Sequence, residues 1–395
     1  MIIDTSHASG FLSISLDGTG IIKILAWSSL VLLLYFGVQC LENQYYHPLA
    51  KFPGPPWACA TWLYGAYYDL LVGPGGQFTS HIRQLHAKYG PVVRISPDEI
   101  SINDPDFYDE YYGSCHAVKD KIPTTANILG TTSGTFGTID HHVHQQRRQG
   151  SNAFFSSSNL TKADHIIREH VDRLALKLSR DLSTVWETRV QFMALKLDIF
   201  YDFAFGDSLH LQDNPRAAEE WDATMEAIAT CAPFVKLFPW ILPLAVKLPV
   251  MLVYVFSPPL ARVLRINYRI HKQANMYSKD PSAFQDSKKG AQDSTGRPIT
   301  LFESLRNSNI TDQDKTVWRI SQEGSEMFAA SGTTARVMSA CMFYLHDRPS
   351  TLKLLRDELD SAMPCPNSIP PTQMLAALPY LVSTCLPHFR RLRFD

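Results

Sequence analysis

Two short stretches of this 395-residue chain combine residue types and spacings that could do chemistry. The first covers residues 321–345. Apolar residues recur there at helical spacing (Met327, Ala330, Val337, Met338, Cys341, Phe343, Leu345), which predicts one long buried helix. Its middle reads Ala329-Ala330-Ser331-Gly332-Thr333-Thr334, a run of weak helix formers placed mid-helix. Side chains that small let a flat or bulky group reach the backbone, and they equally let another helix pack close. A threonine hydroxyl at such a place can bond a carbonyl one turn back, or a bound molecule.

The second stretch runs Asp140-His141-His142-Val143-His144-Gln145-Gln146-Arg147-Arg148. Four residues separate His144 from Arg148, so a helix presents both on one face. An imidazole donor beside a guanidinium fork can clamp a carboxylate. Two other readings stay open: a solvated face, or histidines His141, His142 and His144 gathered on a metal. Among known chemistries, metal-dependent hydroxylation by histidines needs several separated clusters, and this sequence has one compact cluster.

These stretches need a framework. With 45% hydrophobic residues the chain can bury a large core, as one big domain or several small ones. Basic and acidic residues nearly balance, 37 against 38, and no basic face suggests a nucleic-acid partner. The seven cysteines include no Cys-x-x-Cys pair and read as reduced thiols rather than a disulfide framework. Residues 21–38 form one apolar run with a single charge, Lys23, near its start, which predicts an uncleaved membrane anchor; a signal peptide is the competing reading. Lys51 and Arg83 follow the run and no base precedes Lys23, which places the bulk of the chain on the cytoplasmic side. Pro53-Gly54-Pro55-Pro56 then predicts a stiff extended linker. A helix is expected over residues 77–89, two short strands over 91–97 and 99–103, and helices over 163–182 and 192–205. Six prolines and two lysines break the apolar region 232–264 and argue against a second span. Residues 278–316 are polar and predict a mobile surface connection. Serine-hydrolase elbows, Walker loops and Gly-x-Gly-x-x-Gly fingerprints are absent.

Taken together, these motifs resemble the cytochrome P450 family of membrane-anchored heme-thiolate monooxygenases, in its microsomal, fungal style. Ala329 to Thr334 fall on the family's Ala/Gly-Gly-x-Asp/Glu-Thr-Thr/Ser pattern, with Gly332 at the acidic position. His47-Pro-Leu-Ala-Lys-Phe-Pro-Gly-Pro resembles the proline-rich hinge, and Lys88-Tyr-Gly-Pro-Val-Val-Arg-Ile resembles the first helix entering the small sheet. His144 and Arg148 match the family's Trp/His-x-x-x-Arg. The resemblance implies a mainly α fold with a small β-sheet (α+β) and an N-terminal transmembrane helix. It implies heme held at its propionates by His144 and Arg148, with Ala330, Gly332, Thr333 and Thr334 beside the oxygen site and Thr333 delivering protons. It further implies electrons from NADPH–cytochrome P450 reductase, an apolar small-molecule substrate such as a terpenoid or polyketide, and an endoplasmic reticulum membrane location with the catalytic domain facing the cytoplasm. The organisation expected is a luminal N-terminus (1–20), an anchor (21–41), a hinge (42–57), the catalytic domain (58–385) and an aberrant tail (386–395).

The tail departs from the family. Aligning on Pro379-Tyr-Leu puts Pro387 and Arg390 on the two ends of the family's Glu-x-x-Arg, and no cysteine stands in a Phe-x-x-Gly-x-Arg-x-Cys-x-Gly run. The proximal thiolate is therefore unassigned, and the sequence predicts a chain truncated before its heme ligand and catalytically inactive. A membrane-tethered interaction protein is the non-enzymatic alternative.

Overall fold

The computed structural model describes residues 18–113, 117–180, 182–280, 296–363, 370 and 372–382. The luminal segment before residue 18, the cysteines 115, 365 and 385, and the tail with Pro387 and Arg390 lie outside the described residues. The chain divides into two compact units, Met1–His116 and Ala117–Asp395.

Unit one begins with helix α1, Gly18–Leu41. The helical stretch Ile21–Tyr46 is long and apolar enough to cross a membrane. Its large apolar side chains point outward on every side, so this helix has no polar face to offer water. Short helices α2 (Pro56–Ala60) and α3 (Leu63–Leu70) follow, then α4 (Phe78–Tyr89). Gly90, at φ 98°, stops α4 in a conformation that a side chain would strain. Strands β1 (Val92–Arg94) and β2 (Ile100–Ile102) pair antiparallel with Val93 opposite Ser101, and helix α5 (Phe107–Gly113) ends the unit.

The Arg94 side chain is fully buried and finds carbonyl acceptors rather than a carboxylate. Its guanidinium donates to the carbonyl oxygens of Pro97 (2.8 Å) and Asn43 (2.9 Å). Its backbone N–H donates to the Pro53 carbonyl at 2.8 Å. A Cβ on Gly54 would lie 2.3 Å from the Arg94 carbonyl oxygen, so only glycine lets the proline segment lie against β1.

Unit two is helical. In chain order it contains α6 (Pro123–Ala126), α7 (His141–Gly150), α8 (Ser157–Lys162), α9 (Asp164–Arg180), α10 (Thr188–Phe205), α11 (Pro215–Leu237), α12 (Ile241–Lys247), α13 (Val250–Phe256) and α14 (Pro258–Lys279). After residue 296 come α15 (Leu301–Asn307), α16 (Val317–Ala329), α17 (Ser331–Asp347), α18 (Pro349–Ala362) and α19 (Thr372–Ala376). Apolar on almost every side, α10 is the element that the others enclose. Phe154 stacks on its Phe203 with ring centres 4.3 Å apart, and Phe205 meets Phe302 of α15 at 5.2 Å. Gly206 closes α10 in the left-handed conformation. Across the proline-rich region, α11 and α12 meet at a bend of 113°.

Two expectations need correction. Of the stretch 278–316, residues 281–295 lie outside the described residues, and the part from 296 on is not simply a surface connection: Leu301, Phe302 and Leu305 of α15 are buried in the core. The capping box between Thr300 and Glu303 nucleates this helix, and Arg297 pairs with Glu303 beside it. Residues 321–345 are not one helix either. The helix ends at Ala329 and restarts at Ser331, and while Ser321 to Glu326 are buried, Ala330, Thr333 and Thr334 are exposed.

If α15 belongs to the core, Phe302→Ala should lower unfolding stability by about 3–5 kcal/mol, while Phe256→Ala, at 80% exposed, should change it by less than about 0.5 kcal/mol. Urea midpoints in detergent compare the two, and equal effects would return residues 301–307 to the status of a surface connection.

Candidate functional site

On α16, Arg319, Glu323 and Glu326 are spaced four and three residues apart, and all three are buried. A buried carboxylate demands donors. They come from the loop Thr131-Thr132-Ser133-Gly134-Thr135-Phe136-Gly137-Thr138. Glu326 accepts from the Thr131 hydroxyl (2.9 Å) and from the backbone N–H groups of Phe136 (2.7 Å) and Gly137 (2.9 Å). Glu323 accepts from the Thr135 hydroxyl (2.7 Å) and N–H (3.0 Å), and pairs with Arg319 at 2.6 Å. A Cβ on Gly134 would fall 2.0 Å from the Glu326 carboxyl, so glycine is what allows this approach. Lys121 covers the outside of the loop, donating to the carbonyls of Thr135 and Phe136.

Burial pushes the Glu326 carboxyl above its ordinary range, the neighbouring Glu323 pushes it further, and the two N–H donors pull it back. Both of its oxygens accept from the loop, so Glu326 holds the loop against α16.

Helix α7 lies beside this loop. Asp140 caps it by accepting from Val143 N–H at 2.8 Å. His144 is half-buried and Arg148 exposed. Neither side chain has a hydrogen-bond or ion-pair partner among the described residues. Burial lowers the His144 pKa, and Lys121, Arg148 and His141 press it the same way. At neutral pH the imidazole is therefore an uncharged donor, and positive charge at this corner comes from Arg148 and Lys121. Such a corner can bind a carboxylate. Among the described residues no three metal-ligating side chains converge.

At the helix break, the Thr333 hydroxyl donates to the Ala330 carbonyl at 3.0 Å. That bond satisfies a carbonyl at the helix interruption, the competition that makes threonine weak mid-helix. Thr333 and Thr334 are exposed; the Thr333 oxygen keeps its acceptor side while its hydroxyl donates to Ala330. Gly332 is buried with a different neighbour: a Cβ there would lie 3.3 Å from Met225 of α11. Close helix packing thus uses Gly332, while Ala330, Thr333 and Thr334 face outward. No direct contact joins His144 or Arg148 to the threonines; the loop at 131–138 and the two glutamates of α16 connect the two places. Reading the sequence did not single out Glu323, Glu326 or the loop. The repeated Thr and Gly of the loop and the charges at i, i+4, i+7 of α16 are the signs the sequence offers.

The sequence profile headed Cytochrome P450 matches residues 53–386, most of the chain. The chain belongs to the cytochrome P450 family. It is 31% identical over 366 residues to "Cytochrome P450 monooxygenase MO6277" of Ascocoryne sarcoides, covering 91% of this chain and 71% of that one. "Tryptophan 6-hydroxylase fscE" of Fusarium equiseti is 31% identical over 360 residues, 89% of this chain and 69% of its own. "Conidiogenone synthase PchP450" of Penicillium rubens is 30% identical over 341 residues, covering 84% and 67%. These relatives make this a fungal-type P450, and membership implies heme. The residues present fit that group at one end: the two unpartnered donors of α7 suit its acidic propionates.

Glu326→Gln supplies a pH test. Because the folded-state carboxyl lies above the ordinary 4.5, folding takes up a proton, and stability from this group falls as pH rises above that value. Wild-type urea midpoints should therefore decline relative to those of Glu326→Gln from about pH 4.5 upward. Parallel curves would show that burial does not strain this carboxylate.

Proposed function

We propose that this protein is a heme-dependent monooxygenase that hydroxylates or epoxidises an apolar secondary metabolite, a terpenoid or polyketide, while tethered to the endoplasmic reticulum membrane. The observation that carries the reading is the unpartnered pair His144 and Arg148, connected by the 131–138 loop to the helix that breaks at Ala330. Heme when bound supplies the dioxygen-activating redox chemistry. In this reading the chain's own residues have separate tasks. Arg148 neutralises a propionate and His144 donates to it. Thr333, donating to the Ala330 carbonyl, is ready to accept a proton from water on its own oxygen and pass its hydroxyl proton onward. Thr334 extends that polar edge, and Ala330 leaves room beside it. Helix α1 is the membrane tether, a reductase drawing on NADPH is the electron source, and the exposed apolar residues of α12 and α13, among them Val246, Met251, Val255 and Phe256, suit the entry of apolar substrate from a bilayer.

The second, non-enzymatic reading is a membrane-tethered P450 relative without catalysis. Purified chain, loaded with hemin, reduced and exposed to carbon monoxide, separates the two. Monooxygenation requires the red-shifted thiolate band; the second reading expects hemin uptake without it. Where the band forms, Thr333→Ala should lower product formed per NADPH by about a hundredfold, the lower end of the scale typical of losing a positioned proton-transfer group. Unchanged coupling would remove Thr333 from proton delivery.

A further inference from the structure

Arg147 sits between His144 and Arg148 in sequence, yet it is held quite differently. Its Nε donates to Asp314 Oδ1 at 2.8 Å and its Nη1 to Thr138 Oγ1 at 2.7 Å. Both side chains of the ion pair are largely buried, 19% and 10% exposed. Asp314, in the turn that leads into α16, is fixed in its turn by the Thr311 hydroxyl at 3.0 Å and faces Arg319 at 3.7 Å. Thr138 donates onward to the Gly134 carbonyl at 2.6 Å. One guanidinium therefore ties α7 both to the approach of the central helix and to the glutamate-bound loop.

The ends of α7 are held along its axis. His141 N–H donates to Asp120 at 2.9 Å, and the Gly150 carbonyl accepts from Ser304 at 2.7 Å. Gly150 also packs against Leu305 and Ile310, so these contacts anchor the two ends, and nearer the middle Arg147 adds two hydrogen bonds that bear on the roll of the helix. Successive residues of a helix point about 100° apart, so fixing the Arg147 direction also fixes the directions of His144 and Arg148.

We propose that Arg147 is a positioning residue for the propionate clamp: through Asp314 and Thr138 it sets the roll of α7 so that His144 and Arg148 face the propionates and Arg147 does not. This rests on the heme reading given above. Asp314 follows as its counterpart, a residue that influences heme affinity without touching heme.

The test is a hemin titration of the full chain in detergent micelles, read by the Soret band and by tryptophan quenching. Arg148→Ala, Arg147→Ala and Asp314→Ala should each weaken hemin binding by about tenfold or more, as loss of a group that orients a ligand does, and the Arg147→Ala/Asp314→Ala double variant should be no weaker than either single one. Leu174→Ala, a core change on α9, should lower the melting temperature and leave hemin affinity within about twofold, separating orientation from general instability. Should the parent chain take up no hemin, the heme reading fails and this inference with it. If the parent binds and Arg147→Ala binds equally well, the inference alone fails. If Arg147→Ala weakens binding while Asp314→Ala does not, Arg147 touches the propionate itself and the positioning role is wrong.

Discussion

Two carboxylates one turn apart inside a helix are a severe demand on a fold. Each must be surrounded by donors or become protonated, and Glu323 and Glu326 sit too deep for water to meet that need. The protein answers with backbone: N–H groups of Thr135, Phe136 and Gly137 turn inward together with the hydroxyls of Thr131 and Thr135. Bending a loop that tightly against a helix needs glycine at 134, where any side chain would strike Glu326. Removing one partner from such a network leaves a buried charge unanswered, which is why these pairs are costly to break even though they add little net stability when complete. What the network achieves is placement: the loop, α7 and the start of α16 are locked together.

The same helix shows how packing and chemistry divide the work of small residues. At Gly324 a Cβ would meet Phe205 and Ile270 at 3.0 Å, and at Gly332 it would meet Met225 at 3.3 Å. Both glycines let large neighbours close in. Between them the helix breaks at Ala330, and just beyond Gly332 the side chains of Thr333 and Thr334 are exposed. Rigid packing on both sides of a local interruption holds the interruption in place.

Much of this was legible in the sequence because it depended on local pattern. Alternation and turn residues disclosed the β1–β2 hairpin, apolar periodicity disclosed α9 and α10, and the four-residue spacing of His144 and Arg148 put them on one face. The break at Ala330 was hidden because the apolar repeat continues through it; only the hydroxyl-to-carbonyl bond of Thr333 shows where the ladder changes hands. Helix α15 was hidden because its three buried apolar residues are diluted by polar neighbours on both sides. The buried state of Glu323 and Glu326 was hidden because their donors come from almost 190 positions away, a distance across which no periodicity speaks.

The burial of Arg94 has a mechanical consequence. Its guanidinium grips the Asn43 carbonyl just beyond α1, its amide grips Pro53, and Gly54 lies against its own carbonyl. A rope between helix and sheet would let each swivel alone. Cross-braced in this way, and by His47 paired with Asp98 at 3.2 Å, the segment acts as a lever: torque on the carboxyl end of α1 is delivered to β1. Lengthening the chain between Asn43 and Pro53 would not loosen that joint, whereas shortening the side chain at 94 would.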